Sequence, residues 1–263
     1  MTNQRNNSGA QLSSSIWLED HHNAKKNLRV DFAKRISNCN PASIVDIGCG
    51  TGLWLSIFND ILPKECKFIG VDLDKDSLSE AKKRATDWER ECEWIQLDIN
   101  QNPEKIPPAD LALIFNFSSY IENLDIFFSN LSYERGFKKI ALRQFAGDEI
   151  KFGPLNINEQ TAIALSLKDS IGESQQIRYF DMDRLIESAS KLGREVIFRE
   201  FELFQDFSPF NHSSWPYIRG TVEWTSERMP KYEKTLVDTW LNKAIAQEDS
   251  LYFYCLDWTA LLI

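Results

Sequence analysis

The chain has 263 residues, 43% hydrophobic and 26% charged, which is the composition of a folded globular domain and excludes a disordered or fibrous chain. Its 30 basic and 39 acidic side chains leave a formal charge of −9, which repels phosphate backbones and anionic lipid and makes nucleic acid a poor partner. Five scattered cysteines, Cys39, Cys49, Cys66, Cys92 and Cys255, show no C-x-x-C spacing, so a disulfide framework and a metal site are not expected and a reduced, cytoplasmic setting is.

Residues 1–15 are polar, the pattern of a disordered tail rather than a signal peptide or an anchor. Residues 16–38 place Trp17, Leu18, Leu28, Phe32 and Ile36 among charges, as on helices that cap a larger body. Residues 43–47 predict a strand, 53–61 a helix and 67–72 a second strand, with Asp76 as the N-cap of the next helix. Residues 93–99 (EWIQLDI), 110–117 (DLALIFNF) and 138–145 (KKIALRQF) predict three more strands, with a helix over 124–131 before the last. After Phe145 the rhythm changes. Residues 146–178 read as an insertion, Asp181 as the cap of a helix closed by Gly193, and 195–204 as a sixth strand. A second insertion, 207–248, holds SPFNHSSWPYIRGTVEW and a helix over 231–246; residues 250–263 predict the seventh strand. No window approaches the roughly 18 apolar residues of a membrane helix.

Alternating strands and helices predict an α/β three-layer sandwich: a seven-stranded, mostly parallel sheet with helices on both faces. Residues 16–263 would then be one domain carrying the helical cap and the two insertions.

The first strand runs into VDIGCGTG, residues 45–52. Alternate glycines let the chain turn sharply and let a ligand approach the backbone, and the following helix aims free N–H groups at it. The spacing departs from G-x-G-x-x-G, since Leu53 stands where the third glycine is needed, and no Gly-Lys-Ser/Thr follows. Asp46 would repel a pyrophosphate but attract a positive group. Asp72, at the end of the second strand, can accept from both ribose hydroxyls, and Asp98, ending the third, can take a base amine. The residues thus call for a nucleoside with a cationic, phosphate-free tail.

Asp46-x-Gly48-x-Gly50-x-Gly52, Asp72 and Asp98 resemble the first three motifs of the class I S-adenosylmethionine-dependent methyltransferases, over residues 43–145. The resemblance implies that the turn from Gly48 through Cys49 and Gly50 to Gly52 holds the methionine part of S-adenosyl-L-methionine. It further implies that Asp72 and Leu73 meet the ribose, Asp98 and Ile99 frame the adenine, and Asn116 and Phe117 lie beside the sulfonium. Such folds end in an antiparallel strand pair.

Acceptor residues should lie beyond the carboxyl ends of the strands. Arg143 is read as a clamp for a substrate carboxylate or, alternatively, as a structural salt bridge. Tyr120 borders the methyl site or packs. His21 and His22 lie on the cap, where His21 is a candidate base. In the aromatic insertion, His212, Trp215, Tyr217 and Arg219 read as an acceptor lid or as cover for the sheet edge, with Arg178 as a further anion contact. Asn116-Phe117-Ser118-Ser119 replaces the Asp/Asn-Pro-Pro-aromatic tetrad of base-amine methyltransferases, and Glu122 lacks the second acid of the arginine methyltransferase hairpin. The reading is a methyltransferase acting on oxygen or nitrogen of a small-molecule or peptide-like metabolite, possibly one bearing a carboxylate. RNA or protein methylation, aminopropyl transfer and a catalytically silent cofactor-binding subunit are the alternatives.

Overall fold

A mixed sheet carries the computed structural model, which describes residues 15–147, 149–173 and 182–263. Strands β1 (Ser43–Ile47), β2 (Lys67–Asp72), β3 (Cys92–Gln96), β4 (Leu111–Phe115) and β5 (Lys139–Phe145) run parallel in the order β3-β2-β1-β4-β5. β8 (Tyr252–Leu262) lies antiparallel against β5, pairing Arg143 with Thr259 and Phe145 with Asp257. β6 (Lys151–Gly153) and β7 (Val196–Phe207) also pair antiparallel with β8. Among the described residues the sheet therefore has eight strands, one more than predicted, because three residues of the first insertion add a rung to β8 beyond the end of β5.

Helices α1 (Ser15–Ala24) and α2 (Lys26–Ser37) precede the sheet; α3 (Leu53–Ile61), α4 (Lys75–Arg84) and α5 (Leu124–Ser129) connect its parallel strands. α6 (Ile157–Glu173), α7 (Met182–Ser190), α8 (Trp215–Ser226) and α9 (Lys231–Ile245) follow β5. α4 is capped by Asp74, whose carboxylate accepts from Asp76 N and Ser77 Oγ, and not by Asp76. Asp76 instead sits in the first turn, where an acid meets the positive end of the helix dipole. β3 ends at Gln96 because pairing with β2 stops at Asp72, so Asp98 and Ile99 stand in the following loop.

Apolar side chains fill both sheet faces, as expected where parallel strands are covered twice. One cluster packs Phe32 and Ile36 of α2 and Trp54 and Phe58 of α3 on β1, β2 and β4; the other packs Phe127 of α5 and Leu185 of α7. A third cluster joins Leu167 of α6, Tyr217 and Val222 of α8, and Trp240 of α9 to Phe253 of β8. No helix among the described residues is long and apolar enough to cross a membrane. Of the tail predicted at residues 1–15, Ser15 instead opens α1, and residues 1–14 lie outside the described residues, as do Arg178 and Asp181.

Candidate active site

The turn after β1 is built by its glycines and by Asp72. Gly48 has φ of +78°, and a Cβ there would run into the ring of Phe117. Gly52, with φ of +76°, is the left-handed residue from which α3 starts. Gly48 N and Cys49 N donate to Val71 O at 2.8 and 3.0 Å, which ties the turn to β2. Asp72 completes the tie: Oδ2 accepts from Gly50 N at 2.7 Å and Oδ1 from Asp74 N at 2.9 Å. Each oxygen keeps a second lone pair for a ligand hydroxyl.

Beyond this turn opens a cleft. Gly48, Cys49, Gly50, Asp72, Leu73, Asp98, Ile99, Asn116, Phe117, Tyr120 and His21 line it. Asp46 and Gly52 stand behind the wall rather than on it. Burial, and next the charge of Asp72, push the Asp46 carboxyl up to about 8, and its Oδ2 has no hydrogen-bond partner. Asn116, at φ of +54°, accepts from Phe145 N through Oδ1 at 2.8 Å and donates its own N–H to Arg143 O at 2.7 Å, fixing the ends of β4 and β5.

The opposite wall comes from the first two helices. His21 stacks on Tyr217 with centroids 4.9 Å apart and planes 8° apart. Burial, then Arg29, Lys25 and Arg143, hold the His21 imidazole well below its ordinary range, and His22 falls to about 3 through burial and Arg29. Arg29 lines the cleft, lies 5.1 Å over the Trp54 ring and shares a 2.9 Å contact with His22 Nδ1. Behind it, Asp257 Oδ2 accepts from Lys25 Nζ at 2.6 Å and lies 3.1 Å from Arg143 Nη2.

Arg143 is thus not a substrate clamp. Its guanidinium is fully buried between Asp257 and Glu202 and does not reach the cleft wall. The lid reading of the second insertion also fails, because its aromatic side chains form the third core cluster. Tyr217 is buried against Phe253 with its hydroxyl 3.4 Å from Cys255 Sγ, and Trp215 stacks on Phe210 at 5.5 Å. His212 is exposed, and Arg219 pairs on the surface with Glu223 at 2.8 Å. None of these four lines the cleft, although Tyr217 supports His21 from below. Arg29, Lys25 and Trp54 escaped the sequence reading. The signal lay in the spacing of Lys25, Arg29, Phe32 and Ile36, where two cations fall on the apolar stripe of a helix.

A family model described as a methyltransferase domain matches residues 45–133. This segment is a methyltransferase domain. It spans β1 through α5, with the glycine turn and the cleft wall of Asp72, Asp98 and Phe117; Lys25 and Arg29 near the start of the chain, Arg143 on β5 and Asp257 on β8 lie outside it. No curated protein sequence matches the chain. Among solved structures, the chain is similar to the cyclopropane synthase MmaA2 from Mycobacterium tuberculosis: 12% identity over 90% of this chain and 84% of that one, with a TM-score of 0.51. The plantazolicin methyltransferase BpumL in complex with SAH gives 15% identity, 94% and 87% coverage and a TM-score of 0.50. The YcgJ protein from Bacillus subtilis gives 13%, 89% and 98%, and 0.50. At these identities the likeness establishes a common fold, with the domain at its centre.

Proposed function

We propose that the chain is an S-adenosylmethionine-dependent methyltransferase of a small-molecule or peptide-like acceptor, modified on oxygen or nitrogen. The observation that carries this reading is the glycine turn clasped by Asp72 at the mouth of a cleft with an acid behind its floor. The residues fit the cofactor: Asp46 Oδ2 is a buried acceptor without a partner, and Gly50 leaves its side of the turn open except for Leu18 Cδ1, which a Cβ would meet at 3.8 Å. When bound, S-adenosylmethionine supplies an activated methyl group on a sulfonium.

The chain's own residues position and shield. Asp72 offers free lone pairs to ribose, and Leu73, Asp98 and Ile99 frame a base. Asp46 lies buried under the turn, where a cation bound above it would favour its charged form. Phe117 and Tyr120, with centroids 6.3 Å apart, turn ring surface towards the methyl end, where a cation gains about 0.5–2 kcal/mol and water is excluded. His21 Nε2 is buried without a partner and can accept a proton from an acceptor hydroxyl or amine. Alignment alone can account for several kcal/mol of barrier lowering.

Residues 16–263 are read as one cytoplasmic domain serving this cleft. The similarity to a plantazolicin methyltransferase is compatible with a peptide-like acceptor. Calorimetry with S-adenosylhomocysteine (SAH) and with NAD tests the cofactor: SAH should bind and NAD should not, and the reverse result ends the reading. Release of SAH from S-adenosylmethionine in the presence of acceptor pools separates an enzyme from a silent subunit.

A further inference from the structure

β7 closes the sheet on the side away from β3. Trp258 of β8 pairs with Gln144 of β5 on one edge and with Phe201 of β7 on the other, so the far edge of β7 meets no strand among the described residues. After a register shift between Val196 and Phe198, the pairing of β7 with β8 runs unbroken to Phe207. So long and regular an edge presents a row of outward N–H and C=O groups. Apart from that terminal irregularity the usual protection is missing, since VIFREFELFQDF holds no lysine, proline or glycine. Even-numbered side chains point to a covered face, where Phe198 meets Phe32 and Arg35 of α2 and Phe204 meets Tyr217 of α8. The other face is open. Ile197, Phe201, Leu203 and Phe207 stand there, 49%, 56%, 46% and 60% exposed, and with Val196 they make five of the twelve exposed large apolar side chains among the described residues. Clustering of this kind marks a partner surface rather than ordinary scatter.

We propose that β7 pairs antiparallel with β7 of a second copy of the chain, about a two-fold axis at Glu202, joining the two sheets edge to edge. The open face selects both the partner and the register. Ile197, Arg199, Phe201, Leu203, Gln205 and Phe207 read apolar, polar, apolar, apolar, polar, apolar, a palindrome about Glu202. An isologous contact requires such self-complementarity, because each residue meets its mirror position in the other copy. Here Phe201 faces Leu203, Arg199 faces Gln205 and Ile197 faces Phe207, so apolar meets apolar and no like charges oppose each other on that face. Moving the axis to Phe201 or to Leu203 would set Arg199 against Leu203 or Phe207 instead. Glu202 lies on the covered face, where Arg143 of its own copy holds it. The net charge of −9 opposes association in general, but the only charge on the open face is the positive Arg199. The five apolar side chains expose roughly 450 Å² per copy, so two copies with their paired backbone bring about 1,000 Å² together, the lower bound of a specific interface. A dissociation constant in the micromolar range follows.

Sedimentation velocity of the full chain between about 1 and 200 µM tests the pairing. Wild type should pass from monomer to dimer across that range. Phe201→Lys and Leu203→Glu, both at exposed positions, should each weaken the dimer about tenfold or more. Combining the two should restore it, because in this register the introduced lysine of each copy meets the introduced glutamate of the other. Mixing the single variants should likewise give a heterodimer in preference to either homodimer. Far-UV circular dichroism matching wild type verifies that each variant is folded. A wild type that stays monomeric at the highest concentration overturns the proposal and leaves the face to a partner of another kind. A dimer that survives Phe201→Lys, or that the double variant fails to restore, is built elsewhere or in another register and overturns it equally. The outcome is independent of the methyltransferase reading, since neither side chain lines the cleft.

Discussion

Lys25 Nζ lies 2.6 Å from Asp257 Oδ2, joining the break between the first two helices to the last strand, with both side chains fully buried. Removing one member of a buried pair strands the other charge at a loss of about 3–5 kcal/mol. Lys25→Ala should lose stability in that range by urea denaturation. A change below about 1 kcal/mol would show that the helices are held by apolar packing alone.

Gly48 and Gly193 share positive φ but not surroundings. A Cβ at Gly48 strikes Phe117, whereas one at Gly193 meets nothing within 4 Å. Gly193→Ala should therefore lose only about 1 kcal/mol, with SAH affinity intact. Gly48→Ala should lose about 1–3 kcal/mol and most SAH binding, because Phe117 must leave its place in the cleft wall. Equal SAH affinities in the two variants would contradict this.

Asp46 sets a pH dependence. Its carboxyl rises from an unfolded value of about 3.9 to about 8, so the native state holds the proton more tightly. The sign follows: this contribution to stability is full below about pH 4 and is lost as pH rises through 8, by about 1.4 kcal/mol per pH unit at most. Urea midpoints of wild type and Asp46→Asn should diverge across that window, and parallel curves would refute the assignment. A cation bound above Asp46 favours its charged form, so SAH should bind more tightly as pH rises towards 8 and release up to one proton. Calorimetry in buffers of different ionisation enthalpy measures that release.

The two cap histidines act at the other end of the scale. Their imidazoles are lowered chiefly by burial and by Arg29, so the native state binds fewer protons than the unfolded chain. Their contribution is present above the unfolded pKa of about 6.5 and is lost as pH falls below it. His21→Gln should flatten that acid limb in denaturation curves, and the rate profile of the wild type should carry no histidine inflection near 6.5. An inflection there that disappears in His21→Gln would contradict the buried, neutral imidazole.

The parallel half was legible from residues alone. Predicted segments 43–47, 53–61 and 67–72 coincide with β1, α3 and β2, because buried β-branched runs ended by glycine admit few other structures. The glycine turn was legible for the same reason: positive φ and close approach leave a mark on residue type. Arg143 was open to two readings because its partners, Asp257 and Glu202, lie on strands far along the chain, and only the pairing of β5 with β8 brings them together. Trp215 and Tyr217 misled because an aromatic-rich stretch reads alike as lid and as core; which it is depends on what it packs against. Arg29 stayed hidden because burial of a cation is a tertiary fact.

A short span of α1 touches both halves of the molecule. Glu19 pairs with Arg84, whose Nε donates to Thr51 O at 2.9 Å in the glycine turn, while the ring of Trp17 would lie 2.5 Å from a Cβ on Gly220 of α8. Enlarging residue 220 would tilt α1 from its far side and shift Leu18 and His21 over the ligand. Ligand preference can therefore drift through changes in a helix that the ligand never meets, a remote lever by which descendants of one scaffold could diverge while the pocket itself stays unaltered.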